Sequence, residues 1–268
     1  MKTSGFFKVS NTDSSHSVFL RDKGVSTKGI RKWLVPGLYA FGFLIWIFFF
    51  DEGLSVLSPW LPKRAALQMR TPLHMLAWHH FFIVAVSTSL AVVTSLFLGS
   101  LVHLTQNSEL KSLVLSVSAI GETVPSAAVI ALSVPLLGYG NLTCMLALYL
   151  YAILPVVRNT IVGMETISQS VREAGTGMGM TRFQQFLHID IPLAAPIILT
   201  GIRTALVINI SAATIGATVG AGGFGVPIIS GIRVYDPLMV VQGSVPVLFM
   251  AMFADKSLRL LTSEEEIL

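Results

Sequence analysis

Charged residues are scarce in this chain of 268 residues, since Asp, Glu, Lys and Arg together make up only 12% of it. A soluble domain carries about 25% charged residues, so this sequence cannot cover a folded domain with a water-facing surface. Hydrophobic residues account for 53% of the chain, and its mean hydropathy is +0.74. These figures exclude an ordinary soluble protein and indicate that the lipid bilayer is the solvent for most of the chain.

Cysteine is nearly absent, because the chain has only Cys144, which lies in an apolar stretch. A single thiol excludes an intrachain disulfide and argues against metal binding through thiolates. The sequence also lacks a Gly-x-x-x-x-Gly-Lys-Ser/Thr loop that would cradle phosphates, and no nucleophile, base and acid stand out as a set. We therefore expect no nucleotide site and no cofactor on this chain.

Two patterns resemble functional motifs only superficially. His74, His79 and His80 lack the His-Glu-x-x-His spacing of metalloproteases, so interfacial polar residues are the better interpretation. Residues 220–225 fit the dinucleotide fingerprint literally, but a predicted membrane helix precedes them and the nearest following acid, Asp236, is too close. We interpret 220–225 as a flexible turn outside the membrane.

Long apolar stretches are abundant, and a membrane helix needs about 20 mostly apolar residues. Six stretches qualify: 33–50, 80–104, 112–137, 142–163, 193–219 and 237–255. The sequence therefore predicts an all-α membrane protein with about six transmembrane helices. The predicted parts are a polar tail (1–32), an anchor helix with an outer segment lying flat at the interface (33–79), a transmembrane domain (80–255) and a frayed tail (256–268).

The basic residues predict the orientation, because Lys and Arg flanks are held on the cytoplasmic side. With the N-terminus inside, 13 of the 18 Lys and Arg residues are cytoplasmic, four are outside and Arg203 lies in the fifth span. Both termini are then cytoplasmic. A nucleic-acid partner is not expected, because its basic patch would cluster on one soluble domain.

A polar segment broken by glycines, residues 164–192, lies between two long apolar stretches, and we call it the coupling segment for reasons given below. Its apolar residues recur at helical steps of three and four, at Met164, Ile167, Val171, Ala174 and Met178. Gly175, Gly177 and Gly179 then permit a sharp turn. Thr181 and Gln184 form a capping-box pattern for a second short helix, which Pro192 would end. The alternative interpretation is an ordinary interfacial loop.

The end of this segment resembles the signature of permease subunits of binding-protein-dependent ABC importers. That signature is Glu-Ala-Ala, three residues, Gly, nine residues and Ile-x-Leu-Pro. The corresponding positions here are Glu173, Ala174, Gly175, Gly179, Ile189, Ile191 and Pro192. Two of them depart from it, since Gly175 replaces alanine and Ile191 replaces leucine.

The resemblance implies a MetI-like ABC permease core in the bacterial cytoplasmic (inner) membrane, with a cytoplasmic coupling helix-turn-helix seated in a cleft of a separate ATPase subunit. ATP and Mg would be bound by that partner. Glu173 would make a polar contact to the ATPase, Ala174 and Met178 would pack into its cleft, and Gly179 would allow the turn. A second permease subunit, identical or related, and an extracytoplasmic solute-binding protein are implied as well.

Further stretches resemble the osmoprotectant importers in particular. They are residues 121–126, 134–140, 151–159, 177–181, 192–196 and 215–225. This resemblance implies a compatible solute such as glycine betaine or choline. An amino acid or another amine stays open as the alternative, because selectivity in such importers lies largely in the binding protein.

Among the polar residues inside predicted spans, we single out Glu122, Arg203 and Asn209. Glu122 and Arg203 each lie about ten residues from a cytoplasmic helix end, hence roughly 15 Å deep. A charge at that depth normally faces a partner or a water-filled path, so we expect the three residues near the translocation path and Glu122 paired with Arg203. The alternative is that Arg203 snorkels and Glu122 is a protonated capping residue beside Pro125.

Two other classes of protein stay open. A membrane enzyme acting on lipid needs several acids, histidines or serines at one depth, whereas only Glu122 and Arg203 meet that requirement here. A secondary transporter typically has inverted repeats with broken helices, and no convincing internal repeat is visible.

Overall fold

The computed structural model describes residues 27–57 and 71–265, and every regular element in those ranges is helical. The helices are α1 (Thr27–Leu57), α2 (Leu73–Thr105), α3 (Ser108–Thr123), α4 (Ser126–Leu137), α5 (Asn141–Glu165), α6 (Gln169–Gly177), α7 (Arg182–Gln185), α8 (Ile191–Ala212), α9 (Gly225–Val234) and α10 (Pro237–Glu265). A π-helical turn (Phe186–Asp190) joins α7 to α8, and a 3₁₀-helix (Ala213–Val219) follows α8.

The predicted all-α membrane architecture is confirmed. Five helical stretches in the described residues are long and apolar enough to cross a membrane, and α3 with α4 makes a sixth span if the bent pair is counted as one. That third span was predicted as one helix, but it breaks with a bend of 96°. The break lies at Val124, which adopts an extended conformation (ψ 127°) because the following Pro125 disfavours helical geometry there.

Several helices are longer than the apolar stretches that predicted them. Helix α1 begins at Thr27, within the predicted polar tail, and α10 continues to Glu265, where fraying was expected. The outer segment 51–79 is not a flat interfacial stretch throughout, since 51–57 and 73–79 belong to α1 and α2. Hydropathy detects only the part of a helix inside the hydrocarbon core. Residues 1–26, 58–70 and 266–268 lie outside the described residues.

Helix α5 is at the centre, packed between α2 and α8. Small residues allow these helices to approach closely. A Cβ atom added to Gly201 of α8 would lie 2.6 Å from the carbonyl oxygen of Pro155 in α5. On the other side, Ala91 of α2 and Ala152 of α5 are completely buried in the same apolar cluster. These three helices form the core of the bundle, to which the other elements attach.

Helix α1 packs antiparallel against α10 at the side of the bundle. The indole Nε1 of Trp46 donates a hydrogen bond to the carbonyl oxygen of Gln242 over 3.2 Å, and Tyr39 packs against Phe249. Exposed large side chains, including Leu38, Phe41, Phe48 and Phe49, cover the rest of α1. Such a surface is suited to lipid, which agrees with the predicted anchor helix.

Polar contacts define one end of the bundle, which we call the lower end. Lys111 at the start of α3 pairs with Glu165 at the end of α5, and the coupling segment lies beside them. The glycine-rich stretch 220–225 lies at the opposite, upper end. It is a packed turn and not a free one, because Phe224 is fully buried against Phe43 and His80.

Candidate functional site

The coupling segment reverses direction at a glycine. Helix α6 ends in a Schellman arrangement, in which the Met180 amide donates to the Gly175 carbonyl (3.1 Å) and the Gly179 amide donates to the Thr176 carbonyl (2.9 Å). Gly179 itself has φ +80°, in the left-handed region that favours glycine. The predicted helix and glycine turn are therefore present, and the turn depends on Gly179 and not on Gly177, which has ordinary helical geometry.

The second helix begins with the predicted capping box. The Gln184 amide donates to the Thr181 hydroxyl (3.3 Å), and the Thr181 amide donates to the Gln184 side-chain oxygen (2.8 Å). This reciprocal pair satisfies two amides that a helix start otherwise leaves without partners.

Pro192 does not end this second helix, contrary to the expectation from sequence. The chain runs from α7 through the π-helical turn into α8, so residues 182–219 form one continuous stretch. In the π-helical turn the Ile191 amide donates to the carbonyl of Phe186, five residues back. Pro192 is the second residue of α8, directly after the π-helical turn.

The surface of the coupling segment carries exposed apolar side chains on an otherwise polar stretch. Met178 is 74% exposed and Phe183 is 64% exposed, and Val171 and Leu187 are exposed as well. Glu173 and Ala174 lie among them and are also exposed. A group of exposed apolar residues of this kind is typical of a protein-binding surface.

Gly175, where the signature has alanine, lies against Ile189 near the other end of the signature. Gly175 is the buried residue of α6, and a Cβ atom at this position would lie 2.8 Å from the Cδ1 atom of Ile189. The structure thus brings together the first and the last parts of the signature. Ile191 and Pro192, which complete the signature, are exposed at the start of α8.

A buried carboxylate that sequence reasoning missed lies beneath this surface. Asp190 is 5% exposed; its Oδ2 lies 2.9 Å from Nε2 of His103, and its Oδ1 accepts from Nε of Arg172 over 3.2 Å. Arg172 also donates from Nη2 to the Met164 carbonyl over 2.6 Å. The sequence feature that could have identified Asp190 is an acid between two isoleucines, at a position that the signature leaves unspecified.

Glu122 and Arg203 do not pair, contrary to our hypothesis. Nε of Arg203 lies 3.6 Å from Oδ1 of Asp255 in α10, whereas Glu122 is exposed and has no ion pair within the described part of the chain. Their similar depth in the membrane does not bring Glu122 and Arg203 together, because α3 packs on α5 while Arg203 on α8 faces α10. Asp255 lies at the boundary of the sixth predicted span, and nothing in the local sequence indicates that it faces Arg203.

Asn209 is completely buried between α2 and α8. Its side-chain amide Nδ2 donates to the hydroxyl of Thr88 over 2.9 Å. About two turns from Thr88 toward the upper end, Nε2 of His80 lies 3.0 Å from the Ile210 carbonyl. These polar contacts join two membrane helices, so Asn209 contributes to helix packing in this conformation and does not line an open path.

The comparison with protein families decides the identity. The family described as "Binding-protein-dependent transport system inner membrane component" matches residues 91–263. The chain belongs to this family. The resemblance inferred from the coupling segment is therefore confirmed, and the match to the family begins within α2.

Three curated relatives of this permease are named for the transport of osmoprotectants, among them carnitine, glycine betaine and choline. The carnitine transport permease protein OpuCB of Listeria monocytogenes is 35% identical over 181 residues, which cover 68% of this chain and 82% of the relative. The glycine betaine/carnitine/choline transport system permease protein OpuCB of Bacillus subtilis is 36% identical over 176 residues (66% and 80%). The osmoprotectant import permease protein OsmW of Salmonella typhimurium is 36% identical over 185 residues (67% and 85%).

Among solved structures, the permease resembles a chain of the MetNI methionine ABC transporter in an inward-facing conformation. The TM-score is 0.66 at 20% identity, and the match covers 74% of this permease and 99% of that chain. At this identity the likeness establishes the fold, which is that of the predicted MetI-like core.

Proposed function

We propose that this permease is the membrane subunit of an ATP-driven importer for a small quaternary-amine osmoprotectant, such as glycine betaine, choline or carnitine. The observation that carries the proposal is an exposed helix-turn-helix with the importer signature, on a chain without a nucleotide-binding motif. The curated relatives are named for these solutes, which supports the substrate class. The assembly would contain two ATPase subunits, a second permease subunit and an extracytoplasmic binding protein, with the lower end of the bundle in the cytoplasm.

The geometry offers a route for mechanical coupling. Closure of the ATPase subunits on ATP would press on the exposed side chains of the coupling segment, with Glu173 as the polar contact and Met178 as an apolar one. Residues 182–219 form a continuous helical stretch, so a displacement at Arg182 is passed along α8 into the membrane. Rocking of α8 against α2 and α5 would then alternate access between the two sides.

Glu122 is our candidate for the translocation path. A carboxylate within a membrane span faces water or a partner and not lipid, and Glu122 is exposed on the isolated chain. It lies beside the break between α3 and α4, where the Tyr151 hydroxyl donates to the Val124 carbonyl. A carboxylate next to an aromatic ring suits a quaternary ammonium group, which binds to aromatic faces and to negative charge.

Replacing Glu122 with Gln tests this role. We expect uptake of choline, a cation, to fall about fivefold to tenfold, because an attraction worth on the order of 1 kcal/mol in a wet path is lost. Uptake of glycine betaine, whose carboxylate offsets its cation, should fall less. The control is Glu109→Gln, which removes an exposed carboxylate in the first turn of the same helix. Equal losses of choline uptake and glycine betaine uptake would show that Glu122 does not recognise the charge of the solute.

Reconstitution tests the function as a whole. The permease, the ATPase that co-purifies with it and the matching binding protein are placed in vesicles, and uptake of labelled glycine betaine, choline, carnitine and methionine is measured. We expect saturable uptake of at least one quaternary amine that requires ATP. Uptake of methionine alone would identify an importer for another solute. Uptake driven by an ion gradient without ATP would identify a secondary transporter and overturn the proposal.

A further inference from the structure

Four helical elements meet at Asp190 at the lower end of the bundle. Asp190 ends the π-helical turn that leads into α8, His103 is in the last turn of α2, Arg172 belongs to α6, and Met164 is near the end of α5. The contacts of 2.9 Å from His103 and 3.2 Å from Arg172 occupy both carboxylate oxygens of Asp190. Arg172 reaches Met164 at the same time. Asp190 and Arg172 together therefore connect α6 with three membrane helices, α2, α5 and α8.

The surroundings make this connection costly to break. The side chains of Asp190 and His103 are 7% and 8% exposed. A buried carboxylate that loses a partner keeps its desolvation penalty without compensation. The Phe186 ring stacks near His103 at a centroid distance of 6.4 Å and packs with Met164, Ala194 and Ile198. This apolar layer keeps the local dielectric low, which strengthens the polar contacts.

Helix α6 has few other attachments. Gly175 is its buried residue, and the remaining side chains of Gln169–Gly177 are exposed or half-buried. Arg172 is thus the principal polar contact from α6 to the membrane helices. The π-helical turn is the other feature of this joint, and such turns occur frequently at functional sites. If α6 moved alone, Arg172 would leave Asp190 buried with only His103.

We propose that Asp190 is a positioning residue that transmits the movement of α6 to α2 and α8, so that ATP hydrolysis is coupled to solute movement. The inference rests on the proposed import function and assigns the coupling step to an ionic network inside this subunit. Force applied by the ATPase to the exposed side of α6 reaches Arg172 on the same helix. Asp190 then passes it to α8 through the backbone and to α2 through His103.

The test compares variants of the complete reconstituted importer. In Asp190→Asn the side chain keeps its size but loses its charge. We expect the complex to assemble and to hydrolyse ATP, while solute transported per ATP hydrolysed falls about tenfold. Asp190→Glu, which restores the charge on a longer side chain, should recover part of this ratio. The matched control is Glu165→Gln, which removes the exposed ion pair with Lys111 at the same end and should leave the ratio unchanged.

The amount of solute transported per ATP hydrolysed distinguishes a loss of coupling from a loss of folded complex. A wild-type ratio in Asp190→Asn would overturn the proposal, even if less complex were recovered. If Asp190→Asn does not assemble, Arg172→Gln decides, because Arg172 lies outside the membrane spans: a tenfold loss of the ratio supports the proposal, and an unchanged ratio overturns it. Absence of ATP-dependent uptake in the wild-type importer would instead refute the proposed function.

Discussion

Solute-stimulated ATP hydrolysis is expected to fall at least a hundredfold in Glu173→Lys. Glu173 is exposed on α6 and makes no ion pair or side-chain hydrogen bond within the described residues, so its replacement costs this chain little. The effect falls on the proposed contact to the ATPase. A reversed charge at an interface costs several kcal/mol, and about 3 kcal/mol already corresponds to a hundredfold change.

The measurement is ATP hydrolysis in vesicles, with and without the solute-loaded binding protein, together with the amount of ATPase that co-purifies. The control is Glu109→Lys, the same charge reversal on an exposed residue at the start of α3, outside the coupling segment. Glu109→Lys should retain stimulation, apart from a small loss of helix stability. Normal stimulation in Glu173→Lys would exclude this residue from the contact with the ATPase.

In Gly179→Val, solute-stimulated ATP hydrolysis is expected to fall about tenfold because of the backbone conformation at this position. A Cβ atom at Gly179 would meet no atom within 4 Å, so the substitution causes no collision inside this chain. The backbone, however, has φ +80°, which costs a residue with a side chain roughly 1–2 kcal/mol. The turn between α6 and α7 would open in most molecules, and the Schellman hydrogen bonds to Gly175 and Thr176 would be lost.

Gly177 offers a matched control two residues away. A Cβ atom there also meets no atom within 4 Å, but its backbone is helical. Val is a better helix former than Gly, so Gly177→Val should retain stimulation and membrane insertion. If both variants lost stimulation equally, the cause would be the added bulk against the ATPase. The proposed role of Gly179 in the turn would then be wrong.

The break between α3 and α4 shows the limit of local prediction within the membrane. The stretch 112–137 is apolar enough for a span, and hydropathy does not report whether such a span is straight. Pro125 marked a kink, but the bend of 96° arises where α4 leaves α3 to pack on α5 and on the 3₁₀-helix 213–219. Local chemistry placed the break, while packing set its direction.

The polar contacts likewise divide into those that the local sequence predicts and those that only helix packing decides. The capping box at Thr181 and the glycine at position 179 depend on hydrogen bonds and torsion angles over a few neighbours, and both were predicted. The partners of Arg203 and Asp190 depend on which helices adjoin, over separations of 52 and 87 residues to Asp255 and His103. Depth estimated along each helix did not contain that information.

The sequence alone determined that this chain is a membrane protein with about six spans, and that one segment is the helix-turn-helix of an importer permease. Hydropathy, helix caps and a glycine turn are short-range properties, so they can be read along the chain. Only the tertiary structure decided that Asp190 is buried against Arg172 and His103, that Arg203 pairs with Asp255, and that Asn209 joins α2 to α8. Such contacts follow from how the helices pack together, because packing brings side chains that are far apart in the sequence next to each other.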